Sequence, residues 1–325
     1  MEQEIKSQQP SPLPPSYKEI FEEIGRQLKL RKSALFKRIF LITWPYILLI
    51  IVSYVLNLIY DFKSFSQDQT FTYLKILIPY LLVAAFYSSI VRFIFKIEKQ
   101  IWIDSFFDKK NLEPSESWRI AKKLFWPAFA FRIKLWLRYY FIPIVVIIIA
   151  FGLLIQVFVP TFNSSNSYEI ILNSSLILFA VFVIGLVAYG YYLKTKLRYT
   201  YFIFLDKFGT ASSYKSMLEE MNKLNNVSKS ETFKKSLILS IGANSLNSIA
   251  QLAIESISFG VSQFGNTGKM VGNIMRVYGE EASRQATDLG NIAAQYVLYR
   301  FARKEVYGTE QEVNENIYKM FVSKS

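Results

Sequence analysis

The chain has no cysteine and no histidine among its 325 residues. Without cysteine there is no disulfide, no thiol nucleophile and no thiolate metal site. Without histidine the commonest general base and metal ligand is gone too. These two absences argue against an ordinary hydrolase, and neither an enzyme nor a bound cofactor is expected. Acid is scarce as well: 25 Asp and Glu stand against 38 Lys and Arg, a formal charge of +13.

Charge is missing altogether from several long stretches. Residues 39–60, 139–159 and 170–193 carry 22, 21 and 24 residues without a charged side chain. A fourth, 76–91, is only 16 residues long, but Lys75 and Arg92 at its ends can reach the interfaces along their aliphatic stems. About 20 apolar residues suffice to cross a bilayer, and a buried soluble core rarely needs four such helices. With 52% hydrophobic and 17% aromatic residues, the composition indicates a membrane protein.

The basic residues are unevenly placed. They crowd 26–38, Lys96 with Lys99, 109–134, 194–235 and 300–304, whereas 61–70 and 160–169 contain only Lys63. Short loops rich in Lys and Arg stay cytoplasmic. Both termini are therefore expected inside, with an even number of crossings. The charge then reads as a topology signal and an attraction to anionic lipid, not as a footprint for nucleic acid.

A short tag recurs at the ends of three helices: Val91-Arg92-Phe93, Leu197-Arg198-Tyr199 and Tyr299-Arg300-Phe301, with the arginines 106 and 102 residues apart. Ser16-Tyr17-Lys18, Ser117-Trp118-Arg119 and Ser213-Tyr214-Lys215 interleave with it at steps of 101 and 96. These recurrences suggest one unit of roughly a hundred residues used three times. The expected fold is all-α and polytopic, with about six transmembrane helices. They form three hairpin units (16–99, 100–206 and 207–308), each opened by an amphipathic cytoplasmic helix. Residues 1–15 read as a disordered tail, and 309–325 as a cytoplasmic C-terminal tail.

Within the first unit, Ser16 and Glu19 have capping-box spacing, and Pro45 and Pro79 mark kinks. The second unit opens after Pro114, and four of the five tryptophans lie between Trp102 and Trp136. Trp126, Phe129 and Trp136 alternate there with Arg132, Lys134 and Arg138, a mixture suited to the cytoplasmic headgroup layer. The third hairpin is polar. Its first helix carries Asn244, Asn247, Gln251 and Glu255 at helical spacing. Its second carries Arg284, Asp288, Asn291 and Gln295, with only 11 uncharged residues from Leu289 to Tyr299.

Arg92, Arg198 and Arg300 have two readings. They anchor helix ends at the cytoplasmic interface, or they converge on a pseudo-threefold axis to bind an anionic headgroup through their planar forks. The polar stripe has three. Asn244, Asn247 and Gln251 hydrogen-bond to Asn291 and Gln295 while Glu255 pairs with Arg284, or the stripe lines a hydrophilic cavity with Asp288, or the hairpin sits shallowly at an interface or pairs with another subunit. Gly260, Gly265, Gly268, Gly272 and Gly279 read as turn and flexibility points, because Met270 follows Gly268-Lys269 where a phosphate loop needs Ser or Thr. Glu22-Glu23 and Glu219-Glu220 are adjacent carboxylates that point about 100° apart on a helix, a poor metal site.

Leu197-Arg198-Tyr199, then Asp206 after an apolar run and a serine-initiated helix at Ser213, resembles the core of a broad bacterial group. That group contains multi-pass membrane proteins and the membrane domain attached to some glycerophosphodiester phosphodiesterases. Residues 296–305 are similar to its closing helix, although Gly308 comes slightly late. The resemblance implies a six-helix fold in a bacterial plasma membrane and transfers no catalytic residue.

The function expected is that of a non-enzymatic membrane protein. It would bind or organise lipid, chiefly anionic, or a partner protein at the cytoplasmic face, with a homo-oligomer as another arrangement. The alternative is a transporter or channel using the polar faces of the last two helices.

Overall fold

A computed structural model describes residues 14–59, 67–107, 112–158, 180, 182–193, 196–208, 213–227 and 229–308. Among these the fold is all-helical, without strands. The tails, and the expected loop and helix start at 159–179, lie outside the described residues.

Four helices are very long. α1 (Tyr17–Ile59), α2 (Gln67–Phe107) and α10 (Gly265–Tyr307) have 43, 41 and 43 residues, and α9 (Lys229–Ser262) has 34. At about 1.5 Å per residue they are roughly 50–65 Å long, against about 30 Å for a hydrocarbon core. Between them come α3 (Pro114–Lys123), α4 (Phe125–Trp136), a π-helical turn (Leu137–Phe141), α5 (Ile142–Phe158), α6 (Phe182–Leu193), α7 (Thr200–Lys207) and α8 (Tyr214–Asn226).

The chain forms two compact units. One gathers α1, α2, α3, α9 and α10; the other runs from Trp126 to Asn225. In the first, α10 packs along both α9 and α1 and also meets α2. The first and third hairpins thus share one bundle, with the most polar long helix at its centre.

The core of that bundle occupies only half of each helix. α1 buries Ile20, Leu35 and Ile39, α2 buries Phe95, Ile101 and Trp102, and α10 buries Leu289, Ile292 and Tyr296. Beyond these, α1 exposes Val52, Val55 and Leu58, and α2 exposes Ile76, Val83 and Phe86. The change falls where each helix becomes uncharged, so an inward-facing core gives way to an outward-facing apolar surface. Tyr80 Oη donates to the Pro45 carbonyl at 2.5 Å in this second half, beside the prolines that lie inside both helices.

Among the described residues, three helices are long and apolar enough to cross a membrane: the spans Tyr17–Leu56, Phe71–Asp104 and Lys229–Ser262. The last is the first limb of the polar hairpin. Its partner α10 does not qualify, because Lys269, Arg276, Glu280, Glu281 and Arg284 interrupt it. α5, with 17 uncharged residues, and α6 are apolar but shorter.

Local sequence signals account for several helix ends. The Ser16 N–H donates to Glu19 Oε2 at 2.7 Å and the Glu19 N–H to Ser16 Oγ at 3.3 Å, completing the capping box. Ser213 caps α8 through the Ser216 N–H at 3.2 Å. Ser117 is different: it is buried inside α3, which starts earlier, with a proline in its first turn. α10 ends at Gly308, whose φ of 71° is the left-handed conformation glycine adopts most readily.

Candidate functional site

The charged residues of α2 and α10 interlock. Arg92 donates from Nε to Glu281 Oε1 at 3.0 Å and from Nη2 to Oε2 at 2.8 Å. Two helical turns on, the fully buried Lys99 donates from Nζ to Gln285 Oε1 at 2.8 Å and to Asp288. Gln285 in turn donates to Glu281 Oε1 at 2.6 Å, and Tyr296 Oη donates to Asp104 Oδ1 at 2.9 Å. The contacts rise in number together on both helices, so the helices run parallel. A spacing of seven on each helix keeps both ion pairs on a single seam.

A second cluster ties α1, α2 and α3 together. Arg38 forks onto Glu98 at 2.9 and 3.1 Å, and its Nη2 also donates to the Pro114 carbonyl at 3.1 Å. Ser117 Oγ donates to Glu98 Oε1 at 3.1 Å and receives Trp102 Nε1 at 2.6 Å. The Arg38 guanidinium lies 4.1 Å from the Trp118 ring centre. Glu98 is wholly buried, yet its hydrogen bonds satisfy both oxygens. These residues were not legible as a site in the sequence. Lys99 in particular reads there only as half of a basic pair with Lys96, whereas the helix seam turns it inward.

The three tag arginines take different places. Arg92 is bound by Glu281, so its fork is already occupied. Arg198 is buried in the turn between α6 and α7, 4.6 Å from the Tyr199 ring centre. Burial lowers its pKa from the ordinary value and pushes the Tyr199 phenol up to about 12. Arg300 is half-buried on α10.

The polar stripe also divides. Asn247 Oδ1 accepts from Ser283 Oγ at 2.8 Å, joining α9 to α10. Asn244 and Glu255 are exposed, while Gln251, Asn291 and Gln295 are half-buried. The anticipated Glu255–Arg284 pair is not formed. Arg284 lies 3.9 Å from Glu281 instead, one helical turn away on its own helix. α10 presents Lys269, Asn273, Arg276, Glu280 and Arg284 at steps of three and four, which is one face. Arg276 and Arg284 are half-exposed, and Lys269 and Asn273 are exposed.

The glycines act mainly in packing rather than flexibility. A Cβ on Gly268 would lie 2.5 Å from the Val261 carbonyl oxygen, and one on Gly272 would lie 2.6 Å from that of Ser258. Gly279 faces Ile254 nearly as closely, at 2.9 Å. Small residues at such spacing let helix backbones approach. Gly265, with φ of 74°, alone among the five makes the turn.

In the second unit, α4 has a sharply two-sided surface. Trp126, Phe129, Ile133 and Trp136 share one face, and Trp126 is 72% exposed. Ala128, Phe131 and Leu135 form the opposite, buried face. Arg132, Lys134 and Arg138 are exposed, and Arg132 and Lys134 stand between those faces. The paired carboxylates separate as helix geometry requires: Glu22 and Glu219 are exposed, while Glu23 binds Arg26 and Glu220 binds Lys207. Among the described residues no group of acidic side chains could hold a metal ion.

An all-α chain with three helices of membrane-crossing length and composition is consistent with a membrane protein. Comparison with known protein families, characterised proteins and solved structures finds no match.

Proposed function

We propose that the chain is a non-enzymatic, multi-pass protein of a bacterial plasma membrane that binds anionic lipid at its cytoplasmic face through α4. The observation that carries this reading is the α4 surface. Large aromatics point outward along one side, the opposite side is buried in protein, and exposed basic residues stand at the boundary. Such a helix sinks its aromatics to the headgroup level while Arg and Lys meet lipid phosphates. Six crossings with both termini cytoplasmic fit the charge pattern and the three-hairpin repeat, as does the bacterial family resemblance. The tag arginines are less suited to recruiting lipid, since Arg92 and Arg198 are engaged within the protein.

The test is lipid preference in nanodiscs of the full chain. Arg132→Gln, Lys134→Gln and Arg138→Gln together are expected to remove about 3 kcal/mol of preference for anionic over zwitterionic lipid, at about 1 kcal/mol per basic residue. Neutralising Lys29, Lys32 and Lys37 on α1 is the control, and an equal effect there would reduce α4 to general attraction.

A second reading, a transporter or channel, is favoured by one observation. Exposed ionisable residues line the α9–α10 hairpin beside the apolar half of α1.

A further inference from the structure

The depth of that polar face can be set by contacts. Tyr278 Oη donates to the Phe36 carbonyl at 3.2 Å, and Tyr54 Oη meets Thr267 Oγ1 at 2.9 Å. Between these two contacts α10 carries Lys269, Asn273 and Arg276: Lys269 and Asn273 lie alongside the uncharged 39–59 stretch of α1, and Arg276, two residues before Tyr278, lies at its charged edge near Arg38. Glu255 belongs to that edge. It stands between Ile254, which faces Gly279, and Ser258, whose Oγ donates to the Gly272 carbonyl at 2.5 Å. Glu280 is one turn further along α10, 4.0 Å from Arg276.

Lipid cannot solvate this face. Ionisable side chains at membrane depth turn toward a protein interior or a watery cavity, yet Lys269 is exposed within that depth and Glu255 and Arg276 are exposed at its edge. The hairpin has a different surface for lipid at this depth: Ile257 and Phe259 on the outer side of α9, each more than half exposed. The polar face carries both signs of charge, so it can complement itself. Copies inserted in one membrane share an orientation, which makes any symmetry axis run along the membrane normal and brings like residues to the same depth. In such a pair Arg276 of one copy is level with Glu255 of the other and one helical turn from Glu280.

We propose that a second copy of this chain covers the exposed polar face of the α9–α10 hairpin, with Arg276 meeting Glu255 and Glu280 across the interface. This inference rests on the first and third hairpins sharing one bilayer, not on lipid binding by α4.

The experiment uses the full chain in proteoliposomes, where every introduced cysteine is unique and any disulfide must join two copies. Asn273→Cys, oxidised with copper phenanthroline, is expected to give at least about tenfold more dimer than Ile257→Cys, the ratio that about 1.4 kcal/mol of preferential association produces. Arg276→Glu in the Asn273→Cys background should abolish most of that yield. Mixing that variant with copies that carry Glu255→Arg and Glu280→Arg beside Asn273→Cys should restore it, because the pairs are then complementary only between copies, which separates a lost interface from a misfolded hairpin. Equal yields at Asn273 and Ile257, or a yield untouched by Arg276→Glu, would overturn the proposal. The lipid preference set by α4 is not expected to change in any of these variants, so the two proposals can fail separately.

Discussion

Glu98→Ala is expected to lower the melting temperature of the detergent-solubilised protein by about 10 °C, from the roughly 3–5 kcal/mol lost when one partner of a buried ion pair is removed. The reason is the number of groups that converge on this carboxylate. Arg38 reaches it with two nitrogens, at 2.9 and 3.1 Å, and Ser117 with its hydroxyl at 3.1 Å. Without Glu98, Arg38 keeps only the Pro114 carbonyl and the Trp118 ring, in a position where its side chain is 12% exposed. Trp102 and Trp118 lie in this cluster, so their intrinsic fluorescence reports its loss directly. The double variant Arg38→Met with Glu98→Met should cost less than Glu98→Ala alone, because no charge is left stranded. If the double variant proved the worse of the two, the ion pair itself would be contributing net stability, and a stranded arginine would not be the cause of the loss.

The second large effect belongs to Gly272. A leucine there must place its Cβ 2.4 Å from Ser262 Oγ and 2.6 Å from the Ser258 carbonyl oxygen, and the second of these is backbone. Relief requires α9 and α10 to move apart, which also breaks the hydrogen bond from Ser258 Oγ to the Gly272 carbonyl. Overpacking of this kind costs about 1–3 kcal/mol when the structure can adjust, and a blocked backbone approach belongs at the upper end. Faster hydrogen exchange in both helices around Ile254–Ser262 and Gly268–Gly279 is the expected readout. Gly260→Leu is the matched control, because a Cβ there meets nothing within 4 Å. Similar exchange in the two variants would show that the glycines do not set the helix spacing.

Local signals made part of this structure legible. The Ser16–Glu19 capping box and the outward aromatics of α4 follow from spacing alone, since helix geometry fixes which residues share a face. The divergence of Glu22 from Glu23, and of Glu219 from Glu220, follows for the same reason. Charge partners were not legible because they are set by tertiary contact. Arg38 and Glu98 are 60 residues apart, and Arg92 and Glu281 are 189. One signal for the second pairing did exist in the chain: Arg92 and Lys99 are seven apart, as are Glu281 and Asp288, which is the repeat of a helix–helix seam. The glycines misled for a related reason. Gly268, Gly272 and Gly279 look like loop residues by composition, but their value is the missing side chain where two helices touch.

If the polar third hairpin crosses the same bilayer as the first, its turn lies on the far side from both termini. Labelling with a membrane-impermeant maleimide tests this directly, using single cysteines at Gln263 in the turn and at Ser33 on α1. Gln263→Cys is expected to react in intact cells, while Ser33→Cys reacts only after permeabilisation. Protection of Gln263→Cys until the membrane is opened, in parallel with Ser33→Cys, would place the hairpin on the cytoplasmic side and contradict a shared bilayer crossing.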